Sequence, residues 1–226
     1  MSTEQYEIEV KSLLGDALAA ERFKEALKAA GVSSTATKET QLNHYFEGGE
    51  LARLEENLAP YLCAEDQEKF QLIVKRGTKV SVRTREVNGV VRFVMKASLG
   101  DDSSSNGVVR AELDVEVPGI SLGDLDARIL AAGYTYQAKW SRMRQTFEGG
   151  PVTVCLDKNA GYGYLAEFEK VVDDASSLED AKAEVLAFMD QVGASELPQD
   201  RLERMFAYYN EHWPEYYGTE SVFTIQ

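Results

Sequence analysis

Apolar and charged positions alternate at the start of the chain. Ile8 and Val10 share one parity, and Glu7, Glu9 and Lys11 share the other. A period of two sends the two sets to opposite faces of a strand, predicted over residues 5–13. The spacing then becomes helical over 16–30, where Leu18, Phe23, Ala26 and Leu27 form an apolar stripe between a capping Asp16 and Gly31. Residues 33–38, rich in Ser and Thr, read as a polar linker, and 41–46 as a second strand ended by Gly48 and Gly49. Residues 50–75 are helical in two pieces broken near Pro60.

Period two returns at Lys79. Arg83 and Arg85 share a face, Asn88-Gly89 marks a type I′ hairpin, and the return strand over 91–98 carries Lys96. A polar loop over 100–107 leads to a clean alternation over 108–117. There Arg110, Glu112, Asp114 and Glu116 oppose Ala111, Leu113, Val115 and Val117. A short helix over 121–132 precedes strands over 136–147, with Arg142 and Arg144, over 152–157, with Asp157, and over 164–171, with Glu167 and Glu169. Helices over 176–192 and 198–211 end in an aromatic tail whose Tyr208, Tyr209, Trp213, Tyr216 and Tyr217 read as core or docking residues. His44 stands on the parity opposite to Asn43 and Tyr45 and reads as structural. Cys155 shares the parity of Asp157, with nothing nearby to make it a thiolate, and His212 has no evident partner.

Composition narrows the function. The 226 residues, 44% hydrophobic and 27% charged, suit a folded protein with a substantial core, in one decorated domain or two. A formal net charge of −14 argues against nucleic acid and anionic membranes as partners, though a locally basic pocket can still take a small anion. The N-terminal stretch lacks the pattern of a secretory signal, and no apolar run reaches membrane length. Two distant cysteines, Cys63 and Cys155, fit a reducing cytoplasm without a disulfide. A cytoplasmic location is therefore expected.

The charged parity holds Arg, Lys and carboxylate almost exclusively, often paired two apart. Such a face can be solvated, or it can line a closed antiparallel barrel whose apolar face is covered by helices. Arg and Lys bind phosphate oxygens, and Asp and Glu bind hard divalent cations. The charge pattern alone leaves these two readings level.

The order of the pairs resembles the CYTH superfamily, the triphosphate tunnel metalloenzymes, which include class IV adenylate cyclases, thiamine triphosphatases and inorganic triphosphatases. The opening motif stands as Glu7, Glu9 and Lys11, and the second strand as QLNHYF with Asn43 where Asp is usual. The basic pair is Arg83 and Arg85, followed by Lys96; the Arg-x-Glu-x-Glu strand is Arg110, Glu112 and the shorter Asp114. Arg142 with Arg144, Asp157, and Glu167 with Glu169 complete the series up to about Val171.

The resemblance implies an α+β fold, a closed antiparallel barrel of about eight strands with a charged lumen and helices outside. It implies a tunnel domain over 1–175, with a helical insert at 50–75, and a C-terminal helical extension over 176–226. It further implies that Lys11, Arg83, Arg85, Lys96, Arg110, Arg142 and Arg144 bind a triphosphate-containing small molecule. Glu7, Glu9, Glu112, Asp114, Asp157, Glu167 and Glu169 would hold Mg²⁺ or Mn²⁺, and Lys11, Glu9 and Arg85 would serve catalysis. The expected reaction is triphosphate hydrolysis, with cyclisation of ATP as the alternative and non-catalytic polyphosphate binding as the third reading, in a monomer or homodimer.

Overall fold

The computed structural model describes residues 6–98 and 110–225. Eight strands run in it as β1 (Tyr6–Gly15), β2 (Ser33–Gly48), β3 (Thr78–Val87), β4 (Val90–Ser98), β5 (Arg110–Glu116), β6 (Tyr134–Glu148), β7 (Thr153–Asn159) and β8 (Gly163–Val172). The helices are α1 (Ala17–Ala29), α2 (Leu51–Leu58), α3 (Ala64–Arg76), α4 (Leu122–Ala131), α5 (Leu178–Gln191) and α6 (Gln199–Tyr216). Among the described residues, no helix is long and apolar enough to cross a membrane. The loop expected over 100–107 lies outside the described residues.

The fold is α+β, with one sheet in the order β1-β8-β7-β6-β2-β3-β4-β5. Neighbouring strands pair antiparallel wherever their register is defined. The closed barrel is met only in part: β1 and β5 end the order, and among the described residues hydrogen bonding does not join them. Two boundaries also differ from expectation. Residues 33–38 are not a linker, since β2 begins at Ser33; its Ser34 hydroxyl accepts from Gln145 Nε2 at 2.8 Å, and Thr suits an extended strand. The last helix continues to Tyr216 through Pro214, where the tail rings hold it: Tyr209 lies 6.2 Å and Phe223 5.3 Å from the Tyr216 ring.

Two compact units divide the chain. The first joins the residues up to Thr40 with those from Ser141 onward, and the second spans Gln41–Trp140. In the first, the apolar parity of β1, β7 and β8 (Val10, Val154, Leu156, Ala166 and Phe168) packs with Phe23 and Leu27 of α1 and Val185 and Phe188 of α5. Asp16 caps α1, accepting from the Ala19 N–H at 2.8 Å. In the second, Val82, Phe93, Met95 and Leu113 meet Leu54, Phe70, Ile73, Leu125 and Ile129 from α2, α3 and α4. Each such large side chain contributes about 1.5–3 kcal/mol on burial. With the apolar parity taken by these helices, the charged parity of each strand is turned to the opposite face.

Asn88 and Gly89, at φ 50° and 85°, form the hairpin turn that joins β3 to β4. His44 is indeed structural. It sits on the helix-covered face, 5% exposed, and its Nδ1 donates to Asp126 Oδ2 of α4 at 2.7 Å. Thr84 Oγ1 and Tyr136 Oη donate to the same carboxylate, each at 2.7 Å. Burial opposes ionisation of Asp126, but hydrogen bonds from His44, Thr84 and Tyr136 outweigh it and hold the carboxyl below its ordinary value.

Removing Asp126 takes away the carboxylate that the buried His44 and Thr84 and the half-buried Tyr136 share. Asp126→Ala is expected to destabilise by about 3 kcal/mol or more, read by urea denaturation at pH 7. Because the folded-state value is depressed, the ionised group's contribution is complete above its unfolded value of 3.8 and fades as pH falls below it. The stability gap to Asp126→Asn should therefore narrow between pH 5 and pH 3. A gap that widens in acid would refute the assignment.

Candidate functional site

The charged faces form two clusters, one in each unit. In the first unit, antiparallel register sets Glu9 opposite Glu169 and Lys11 opposite Glu167 across β1 and β8. Cys155 stands opposite Glu167 across β7 and β8, and Arg144 opposite Asp157 and Arg142 opposite Asn159 across β6 and β7. All of these share one parity and hence one sheet face.

Asp157 is fully buried at 0% exposure, and two arginines meet its carboxylate. Arg142 Nη1 donates to Oδ2 at 2.6 Å, while Arg144 Nε and Nη2 donate to Oδ1 and Oδ2, each at 2.8 Å. Both oxygens, expected to hold a metal, are engaged by guanidinium. Arg144 also pairs with Glu167, and Lys11 pairs with Glu9 and, at 3.3 Å, with Glu167 Oε1. Burial works against the charge of Glu167, but Lys11, Arg144 and Arg142 prevail and lower its pKa to about 2. Burial raises the Cys155 thiol to about 11 despite the nearby Arg144, so it stays protonated, in keeping with the absence of a thiolate.

The second unit carries the other cluster. Arg83 and Arg85 of β3 lie opposite Tyr45 and Asn43 of β2, and opposite Val94 and Arg92 of β4. Arg85 Nε donates to Asn43 Oδ1 at 2.8 Å, and its Nη1 lies 3.6 Å from Asp114 Oδ2. The amide at position 43 thus takes the hydrogen bond of a carboxylate without neutralising the guanidinium. Arg92 Nε donates to Asp114 Oδ1 at 2.6 Å, and Lys96 stands 3.1 Å from Glu112. Arg83 differs from these. Its Nη1 donates to Tyr45 Oη at 3.0 Å, and its guanidinium lies 5.1 Å from that ring's centre. Among the described residues it meets no carboxylate, and its buried Nε has no hydrogen-bond partner.

Of the residues expected at the site, Glu9, Lys11, Arg142, Arg144, Asp157, Glu167 and Glu169 come together on the first face. Arg83, Arg85, Lys96, Glu112 and Asp114 come together on the second. The Glu7 and Arg110 side chains lie outside the described residues. Among the described residues, no three of His, Cys, Asp and Glu gather as a metal-binding group. Glu9 and Glu169, like charges, stand directly across a ladder, and carboxylate oxygens are the donors that a hard cation takes. Sequence reasoning missed Arg92 and Asn159. Parity with Lys96 and with Asp157, respectively, was the signal that could have found them.

No family model and no curated protein matches the chain. Solved structures share its fold. A "putative adenylate cyclase" from Vibrio parahaemolyticus matches at TM-score 0.59 and 15% identity, over 90% of this chain and 98% of its own. The PH1819 protein from Pyrococcus horikoshii matches at 0.59 and 16%, over 90% and 99%. The PH1012 protein of the same organism matches at 0.56 and 18%, over 86% and 92%.

Removing Asp157 takes a buried carboxylate acceptor from both Arg142 and Arg144, so Asp157→Ala is expected to destabilise by about 3–5 kcal/mol, measured by chemical denaturation. The Glu167 pKa is likewise depressed on folding. Its contribution is present above the unfolded value of 4.5 and is lost as pH falls towards about 2. Wild-type protein should lose stability relative to Glu167→Gln across that window; parallel pH profiles would sink the pairing described.

Proposed function

We propose that this chain is a divalent-metal-dependent triphosphatase of the CYTH superfamily, acting on inorganic triphosphate or an organic triphosphate such as thiamine triphosphate. The observation that carries the reading is Arg83, a half-buried guanidinium with a buried, unpartnered donor and no carboxylate among the described residues. A buried cation without a counter-charge is unfavourable unless an anion is bound, and a phosphate oxygen is the acceptor that a guanidinium fits best. The order of the CYTH-like motifs and the shared fold support the same reading.

In this reading the residues of each charged strand face take the roles that the resemblance implies. Arg83, Arg85 and Lys96 hold phosphate oxygens, with Arg110 joining them by resemblance. Arg142 and Arg144 enter with their guanidinium planes fixed by Asp157, so their remaining donors are set before substrate arrives. Glu9 and Glu169, with Glu7 by resemblance, would hold Mg²⁺ or Mn²⁺; Glu112 and Asp114 remain further candidates. A bound cation would offset the charge that develops on phosphate and, in hydrolysis, lower the pKa of its water. Lys11, tied to Glu9 and Glu167, stays a fixed positive charge beside those carboxylates.

Cyclisation of ATP to cyclic AMP is the second reading, favoured by the name of the Vibrio structure. Both reactions need the same cations and carboxylates, so product analysis separates them. Incubation of purified protein with tripolyphosphate and Mg²⁺ or Mn²⁺ is expected to release orthophosphate, and chelator or Glu9→Gln should abolish the release. Arg83→Ala is expected to lower kcat by about 10²–10³-fold, the scale of one lost preorganised donor. Cyclic AMP and pyrophosphate from ATP, without orthophosphate from tripolyphosphate, would establish the cyclase instead. Binding without any turnover would leave a non-catalytic module.

A further inference from the structure

We infer that Asn159 is a further anion-binding residue, its side-chain amide nitrogen donating to a phosphate oxygen beside Arg142. Asn159 ends β7 on the parity of Asp157 and Cys155, and its cross-strand neighbours are Arg142 on β6 and Gly163 on β8. It is 8% exposed, yet its Nδ2 has no hydrogen-bond partner among the described residues. A buried amide with a purely structural role places its donors on a carbonyl or carboxylate. The nearest carboxylate along its own strand face, that of Asp157, already has both oxygens engaged by Arg142 and Arg144.

The position is also built rigidly. Beyond Asn159 the chain turns through Gly161 and Gly163, both at positive φ. A Cβ at Gly163 would stand 2.1 Å from the Gly15 carbonyl oxygen, and one at Gly161 would stand 2.7 Å from the Tyr209 ring. The C-terminal segment pairs with this turn: Gly161 N–H donates to Ser221 O at 2.9 Å, and Phe223 N–H donates to Gly161 O at 2.6 Å. The strand end is therefore clamped from β1, from α6 and from the tail. A neutral, fixed donor next to a guanidinium supplies what a phosphate group takes up, a short row of hydrogen bonds around one charge. Gly163, lacking a side chain, adds no competing acceptor on the other flank.

The inference rests on the triphosphate reading given above, and the experiment separates the two. Tripolyphosphate binding is measured by calorimetry, with chelator and with Mg²⁺, for the wild-type full chain, Asn159→Leu, Asn159→Ser and Asn159→Asp. Thermal denaturation of each protein without ligand accompanies the titrations. Asn159→Leu removes an unpaired buried donor, so its melting temperature without ligand should equal or exceed that of wild type while tripolyphosphate binds about tenfold or more weakly. Asn159→Ser keeps a small donor and should recover part of the affinity. Asn159→Asp, which sets a carboxylate against the anion, should bind at least as weakly as Asn159→Leu. Folded Leu and Asp variants that both bind with wild-type affinity would overturn the role of Asn159 and leave the triphosphate reading standing; an ordered water on Nδ2 would give that result. Wild-type protein that binds no tripolyphosphate under either condition would overturn the reading itself.

Discussion

Charge on a buried strand face is costly unless opposite charge lies within ion-pair distance, and this constraint governs the charged face of the first unit. Asp157 is wholly excluded from solvent and survives as an acceptor because two arginines surround it. Glu167 is held ionised by Lys11, Arg144 and Arg142 against its burial. The same arginines would otherwise be strong cations facing away from water. These pairs tie neighbouring strands through side chains, so losing one member weakens the strand register as well as the charge balance. Arg144 binds carboxylates from two different strands, β7 and β8, and so joins three strands by side chains as well as by backbone.

Much of this was legible in the sequence because strand parity is rigid. Once Val10 or Phe168 is assigned to the core, Glu9 and Lys11, or Glu167 and Glu169, have nowhere to go but the other face. The hairpin at Asn88-Gly89 was equally plain, since few dipeptides accept two positive φ values. Elsewhere composition misled. Ser and Thr over 33–38 resemble a linker, yet β2 includes them, because pairing partners far along the chain decide strand length. Asp126 could not be foreseen as the acceptor for His44, Thr84 and Tyr136: it lies on a helix, and donors from three different strands converge on it. Arg92 and Asn159 were open to parity reasoning but belong to no motif.

An acidic protein with one locally basic strand face, where Arg83, Arg85, Arg92 and Lys96 meet Glu112, Asp114 and Glu116, has a further electrostatic property. The overall charge of −14 repels anions at long range, but salt shortens that repulsion to about 8 Å at physiological ionic strength. Within that distance the local field decides. Asn43 strengthens it, since an aspartate there would neutralise Arg85, whereas the amide merely orients it. The balance of cations over carboxylates thus turns on single side chains rather than on the composition of the chain.

The order in which the strands are joined bears on how the protein is made. β1 pairs with β8, so Glu9 waits for Glu169 to leave the ribosome before its ladder can form. The second unit, by contrast, is one continuous segment, Gln41–Trp140, whose β3–β4 and β4–β5 hairpins close locally. Vectorial synthesis therefore lets the middle of the chain fold first while the amino-terminal strand stays unsatisfied, its Ile8 and Val10 exposed to other chains. The charged residues between them, Glu7, Glu9 and Lys11, interrupt the run of apolar side chains and act as gatekeepers against edge pairing during that interval.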